Sequence, residues 1–144
     1  MNFKDLRDDP IDGDQYFQKI DTAGDPQWGE GVRLDPIDDI DFSARFTANT
    51  LGGVSVIWER GTFPDVDIFF QNLTSDGNYS LVEPLAISNN LGYQFSPILS
   101  GDEQNGIYAI YADQGSGSID LMVQKLSANF ESEWGGTGLV AMNG

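Results

Sequence analysis

An acidic loop, DPIDDID, places four carboxylates within seven residues, at Asp35, Asp38, Asp39 and Asp41. Carboxylate oxygens at such spacings are suitable ligands for a hard cation such as calcium. The loop lacks the glycine and the terminal glutamate of the twelve-residue calcium loop, and its counterpart SNNLGYQ at 88–94 carries no acids. Two interpretations therefore stay open, a calcium site confined to this loop and a solvated acidic turn.

Catalytic chemistry is restricted by the residue types that the chain lacks. Its 144 residues include no cysteine and no histidine, which removes thiolate and imidazole ligands and every Ser-His or Cys-His nucleophile. A glycosidase would need two carboxylates, one with a raised pKa, and Glu59 beside Trp58 is one candidate. Asp14, Asp67 and Asp120 recur at a fixed interval, which favours a structural role over a unique catalytic acid. We therefore expect a protein that is not an enzyme, with calcium as the one cofactor to test.

Aromatic side chains support a binding hypothesis. An aromatic ring can stack on the apolar face of a sugar while neighbouring polar groups bind the hydroxyls. The ligand-binding candidates are Tyr79, Tyr93, Trp58 and Tyr111. Trp28, Trp58 and Trp134 fall at repeat positions, which predicts packing between repeats instead. Tyr79 and Tyr93 do not repeat and lie in predicted loops, so they are the more exposed candidates.

The charge excludes several classes of partner. Seven basic and 23 acidic residues give a formal charge of −16, which repels nucleic acid and anionic lipid surfaces. Apolar runs are only a few residues long, so no membrane insertion is expected. The N-terminal stretch MNFKDLRDDP lacks the basic start and apolar segment of a signal peptide.

These side chains are positioned by a repeat of 53 residues. DQYFQKI at 14–20, DIFFQNL at 67–73 and DLMVQKL at 120–126 each begin with Asp and carry Gln at the fifth position, 53 residues apart each time. FSARFTANTLGGVSVIWER at 42–60 aligns in the same register with FSPILSGDEQNGIYAIYAD at 95–113. The markers of the repeat are Gln18, Gln71, Gln124, Asp14, Asp67, Asp120, Trp28 and Trp134.

Four short strands are predicted within each unit. Alternation and turn residues place the first at 42–48 and 95–99, the second at 53–58 and 106–111, the third on the glutamine segments, and the fourth near 31–34, 83–87 and 138–142. No stretch keeps helical spacing for more than a turn. The repeating glutamine lies among apolar neighbours, so we expect it to be a buried amide bonded to backbone groups of the adjoining strand or blade.

Four antiparallel strands repeated at this interval are typical of a β-propeller blade. The segments VIWER, DIFFQNLTSDGN, IYAIYAD and DLMVQKLSANFESEWG resemble the blade repeats of secreted or cell-surface bacterial β-propeller proteins. The resemblance implies an extracellular location and a noncatalytic binding or scaffolding module, with carbohydrate or cell-surface adhesion as the expected role. The alternatives are part of a carboxylate-driven propeller glycoside hydrolase and a purely structural spacer.

The elements add up to about two and a half blades, which is too few to close a ring. We divide the chain into a partial blade at 1–41 and two full blades at 42–94 and 95–144. The stretch from Phe3 to Asp14 is two residues longer than its counterpart from Trp58 to Asp67. A β-sandwich is the alternative fold, but it would not explain a repeat in register. We expect the open edges to pair with the remainder of a longer parent chain or with a second copy.

Overall fold

The computed structural model describes residues 1–7, 14–35, 37, 40–115 and 117–144. The described chain is all-β and contains no helix, as the sequence predicts. Its strands are β1 Asn2–Asp5, β2 Asp14–Phe17, β3 Val32–Arg33, β4 Asp41–Ala48, β5 Val54–Thr62, β6 Asp65–Leu73, β7 Leu85–Ser88, β8 Gln94–Gly101, β9 Ile107–Asp113, β10 Asp120–Leu126 and β11 Leu139–Met142.

The strands form three antiparallel sheets with the order of propeller blades. Sheet 1 is β1-β2-β3, sheet 2 is β4-β5-β6-β7 and sheet 3 is β8-β9-β10-β11. Within each sheet, consecutive strands of the chain therefore lie side by side, as sequence neighbours usually do. Sheet 1 has the second, third and fourth strands of the unit, so the described chain forms two and a half open blades.

The pairing register confirms the two-residue difference near the N-terminus. Phe3 lies opposite Tyr16 in sheet 1, as Trp58 lies opposite Phe69 in sheet 2. Tyr16 and Phe69 are 53 residues apart, whereas Phe3 and Trp58 are 55 apart. β1 is therefore the second strand of its unit. Its residues are 55 rather than 53 positions from their counterparts in β5, because two extra residues separate β1 from β2 in the sequence.

The first strand of each full blade contains a bulge that the sequence analysis did not predict. The register shifts between Phe42 and Arg45 in β4, and at the matching position of β8. Ser43 and Ser96 have φ angles of 56° and 55°, in the left-handed region that an L-residue adopts at a cost of about 1 kcal/mol or more. The Ser96 amide donates to the Glu59 carboxylate over 2.9 Å, so sheet 2 holds the bulge of sheet 3.

Two apolar clusters join the three sheets face to face. Sheets 1 and 2 enclose Phe17, Leu34, Val54, Val56, Trp58 and Leu73. Sheets 2 and 3 enclose Ile57, Ile68, Phe70, Ile87, Ile107, Ala109, Tyr111, Met122 and Leu126. Alternate residues of β5 therefore enter different clusters, so both of its faces are buried. The layers number three, where a β-sandwich has two.

The two junctions are filled by different combinations of large and small residues. Trp28 packs against Gly77, whose added Cβ would lie 2.9 Å from the indole ring. Their repeat counterparts are Leu81 and Phe130, which both pack on the cluster between sheets 2 and 3. The first junction thus sets an indole ring against a glycine, whereas the second fills the equivalent positions with a leucine and a phenylalanine.

The repeated glutamines are buried structural amides, as expected. Gln71 is 1% exposed, and its amide group donates to the Leu81 carbonyl over 3.0 Å while its oxygen accepts from the Leu81 amide. Gln18 makes the same contacts with Gly29 and Trp28, and Gln124 with Gly135 and Trp134. The partner is the connection between the third and fourth strands of the same sheet, rather than an adjoining strand or blade. Each glutamine therefore fastens this connection to its sheet.

The two marker tryptophans have different environments. Trp28 lies between sheets 1 and 2, and its indole N–H donates to the Ser75 carbonyl over 3.0 Å. Trp134 packs on Tyr108 of its own sheet, with ring centroids 6.0 Å apart. Packing between blades is therefore correct for Trp28 and wrong for Trp134, because the described chain places no further sheet against that face.

Candidate functional site

In the part of the acidic loop that the structure describes, the two calcium candidates Asp35 and Asp41 are engaged by side chains of the protein itself. Asp35 pairs with the guanidinium of Arg60. Asp41 lies 3.6 Å from the same group and accepts the Trp58 indole N–H over 2.8 Å. Asp38 and Asp39 lie outside the described residues, and no group of three acidic side chains suitable for a metal is found among those described. Asp35 and Asp41 therefore compensate a buried cation of the protein itself.

Trp58 and Tyr111 are wrong as ligand-binding candidates. Both side chains are 0% exposed, and the Tyr111 hydroxyl donates to the Thr137 carbonyl over 2.7 Å. Burial raises the pKa of Tyr111, and its position near Asp113 raises it further. The two rings belong to the clusters between sheets, so no ligand can reach their faces.

Tyr79 is 38% exposed but is committed to a contact between sheets. Its hydroxyl donates to the Arg33 carbonyl of β3 over 2.7 Å, and burial raises its pKa. The side chain thus ties the β6–β7 connection of sheet 2 to the edge of sheet 1.

Tyr93 is half-buried and lies in a group of aromatic rings beside the β5–β6 hairpin. It stacks on Phe95 with centroids 4.7 Å apart and meets Phe63 edge to face with centroids 5.8 Å apart. Phe63 is 75% exposed. We name the space around them the aromatic cleft, which has a volume of about 240 Å³ and is lined by Phe63, Pro64, Gly92, Tyr93, Gln114 and Gly117.

Sequence reasoning found Tyr93 and missed Phe63. Phe63 occupies the hairpin turn GTFPD between β5 and β6, a position where a solvated residue is the usual choice. Its repeat counterpart is Ser116, so the repeat gives no packing reason for an aromatic side chain. The sequence signal that could have identified Phe63 is an aromatic residue in a turn that does not recur in the repeat.

The polar groups near the aromatic cleft suit hydroxyl-bearing ligands. Burial raises the pKa of Tyr93, as does the nearby Glu59 carboxylate, so its hydroxyl stays protonated at neutral pH. The Asp65 carboxylate fixes the loop by accepting from the Gly92 amide over 3.1 Å. Gln114 is exposed and offers an amide donor and acceptor. Aromatic rings therefore stand beside neutral donors and acceptors.

A second, larger space opens between sheets 1 and 2 at the other end of β5. We name it the apolar cleft; its volume is about 410 Å³. Its walls include Phe17, Ile20 and Trp28 of the first unit and Phe46 and Val54 of the second. The polar groups along it are occupied, since Lys19 donates to the Gly52 and Ser75 carbonyls and the Gln18 amide is paired. This cleft suits an apolar occupant.

The recurring aspartates differ in their partners. Asp14 pairs with Arg33 over 2.7 Å, and Asp120 accepts from the Gly144 amide over 3.1 Å. Burial raises the pKa of Asp67 to about 6, with a further rise from Asp65 and a smaller opposing effect from Arg60. A common position in the repeat therefore does not give a common electrostatic environment.

Comparisons with protein-family models, with curated proteins and with solved structures give no match. Among the residues that the structure describes, there is no helix of the length and apolarity needed to cross a lipid bilayer.

Proposed function

We propose that the protein is a noncatalytic binding module of an exported bacterial repeat protein, which stacks neutral carbohydrate in the aromatic cleft. The observation that carries the proposal is Phe63, an apolar ring 75% exposed in a hairpin turn. Leaving such a ring in water is unfavourable by about 1.5–3 kcal/mol relative to burying it. A ligand that covers the ring recovers part of that free energy.

The surroundings of Phe63 favour a sugar among the ligands that could cover it. Tyr93 stands edge to face against it and offers a protonated hydroxyl, and Gln114 offers an amide on the same cleft. A pyranose presents an apolar face to the ring and hydroxyls to these groups. The formal charge of −16 disfavours sialylated or sulfated glycans and favours neutral ones.

A glycan array followed by titration calorimetry tests the proposal. Neutral glycans should bind, and Phe63→Ala should weaken binding by about tenfold or more, since a ligand that covers the ring recovers part of the burial free energy of about 1.5–3 kcal/mol. Phe46→Ala is the matched control, because it removes a ring 46% exposed at the opposite end of β5. Absence of binding at high protein concentration, or equal effects of the two substitutions, would contradict the proposal.

One observation supports the enzymatic alternative, a carboxylate-driven glycosidase. Asp67, with a pKa of about 6, has the property that a general acid requires at neutral pH. It lies two residues from Asp65 in β6, on the hairpin that carries Phe63. Release of reducing sugar from a bound glycan, abolished by Asp67→Asn while binding persists, would support this alternative over a binding module.

A further inference from the structure

Among the described residues, the outer edge of β1 has no partner strand. β1 pairs with β2 on its inner side, whereas the corresponding strands β5 and β9 are paired on both sides. Met1 and Gln18 exchange two backbone hydrogen bonds, of 2.8 and 2.9 Å. In an antiparallel ladder the intervening residues turn their N–H and C=O groups the other way. Asn2 and Lys4 therefore present their backbone groups to the open edge.

The apolar cleft lies where the end of a first strand would lie in a full blade. Its walls include Ala48, Gly52, Gly53 and Val54. The corresponding wall of the junction between sheets 2 and 3 lies 53 residues later, at Gly101, Asn105, Gly106 and Ile107. That wall is covered by the end of β4 and its turn, at Ala48, Asn49 and Thr50, which leave a void of only about 30 Å³. The same wall is covered in one junction and open in the other.

The side chains of the open junction show the consequence. Phe46 is 46% exposed and meets the Phe17 ring in a T-shaped contact, with centroids 5.6 Å apart. Its counterpart Leu99 packs against the cluster between sheets 2 and 3. Val54 is 9% exposed, and its counterpart Ile107 is 3% exposed. The open cleft thus leaves apolar surface that the closed junction buries.

We propose that the open edge of β1 and the apolar cleft together bind one extended segment of a partner, added antiparallel to β1, with the chemistry of a first strand of this repeat. The segment's backbone pairs with Asn2 and Lys4, and its final small residues and turn enter the cleft. β-Strand addition of this kind takes affinity from main-chain hydrogen bonds and specificity from alternate side chains. It is independent of the aromatic cleft, which lies at the other end of β5.

The pairing register of the sheets indicates which first-strand sequence is suited to the open edge of β1. Asp41 of β4 lies opposite Arg60, and Gln94 of β8 lies opposite Asp113. The corresponding residue of β1 is Asp5, since it lies opposite Asp14 as Arg60 lies opposite Asp67. Asp5 is paired with the guanidinium of Arg7. A segment that begins like β8, with an amide, therefore suits β1, whereas an aspartate there would compete with Asp5 for that single cation and repel its carboxylate.

The test uses a fluorescently labelled peptide of residues 94–106 and the full chain, with binding measured by anisotropy. The peptide should bind, and the same peptide with Gln94→Asp should bind several-fold more weakly, as expected for a like-charge pair costing about 1 kcal/mol. Lys4→Pro removes an edge-facing N–H without breaking the bonds to β2. It should weaken binding by about tenfold, whereas Lys4→Ala should bind as the wild type does.

A second variant is needed because Lys4→Pro could lose binding simply by failing to fold. Ala48→Phe adds a ring to the exposed cleft wall and should also reduce binding. Equal binding to all variants, or equal binding of a scrambled peptide, would overturn the proposal. Sedimentation tests whether the chain associates with itself through this edge. If the wild-type chain self-associates and Lys4→Pro abolishes that association, the edge binds a second copy, and the assignment to a partner segment is overturned.

Discussion

Replacing Gln71 with methionine should destabilise the fold by about 2–4 kcal/mol. Methionine has a similar length and is compatible with burial, so the substitution removes the amide with little change in volume. The N–H and C=O of Leu81 both lose their partner, as does one contact from the Asn72 amide. Each buried polar group left unpaired costs about 1–3 kcal/mol, and the half-burial of Leu81 limits the total.

The matched control is Gln94→Met. Gln94 is likewise buried, at 0% exposed, but among the described residues its side-chain amide makes one hydrogen bond, a 3.3 Å contact with the Asp113 carboxylate. That carboxylate keeps the Gly115 amide at 2.7 Å as a partner. Loss of the Gln94 amide should therefore cost less than about 1 kcal/mol, although both substitutions remove a buried amide from a strand.

Urea unfolding followed by tryptophan fluorescence measures both free energies, because the indole of Trp58 is fully buried. The Gln71→Met midpoint should fall well below that of Gln94→Met, with equal slopes for the two variants and the wild type. Equal midpoints would refute the claim that the repeated glutamine fastens the connection. The reasoning would also fail if Gln71→Met lost its cooperative transition, since that outcome would indicate a wider role in packing.

Three further predictions concern single residues. Gly77→Ala should cost about 2–3 kcal/mol of stability, against about 1 kcal/mol for the control Gly24→Ala, as measured by thermal unfolding. Both glycines have a positive φ, of 81° and 95°. A Cβ at Gly77 would meet the Trp28 indole ring, whereas Gly24 has open space around it. Since burial raises the folded-state pKa of Asp67 to about 6, from its ordinary 3.8, the contribution of Asp67 to stability should be full below pH 4 and fall by about 1 kcal/mol toward pH 7, after allowance for solvent screening. Asp67→Asn should lack that fall in urea titrations, and a parallel pH dependence in both proteins would contradict the assignment. Arg60→Met should cost about 3–5 kcal/mol by leaving the Asp35 carboxylate, 1% exposed, without its cation; an unchanged melting temperature would contradict it.

The strand order and the burial of the repeated glutamine could be predicted from the sequence because both follow from periodicity. The 53-residue interval fixes which segments are equivalent, and the longer stretch between Phe3 and Asp14 reveals the displaced register of β1. A polar residue that recurs among apolar ones must satisfy its hydrogen bonds locally. Periodicity does not, however, identify the hydrogen-bond partner of the glutamine, which is the connection between the third and fourth strands of the same sheet.

The buried aromatics were misassigned for a physical reason. Alternation in β5 predicts two faces, but the stacked sheets cover both, and every residue from Val54 to Arg60 is buried. Trp58 and Tyr111 therefore had no solvent-facing side from which to bind a ligand. The bulge at Ser43 was equally hidden, because serine in a left-handed conformation has no distinctive sequence signal.

The junctions between sheets differ most at their buried charges, and this difference can specify the order of the sheets. Arg60 pairs with Asp35 in the first junction, whereas the counterparts in the second are Asp113 and Ser88. Asp113 is satisfied there by the amide groups of Gln94 and Asn90. Exchanging the partners would set Asp113 against Asp35 or leave Arg60 facing a serine, and an unpaired buried charge costs several kcal/mol. The repeated apolar residues allow any two sheets to stack, and the unrepeated polar residues restrict which two do.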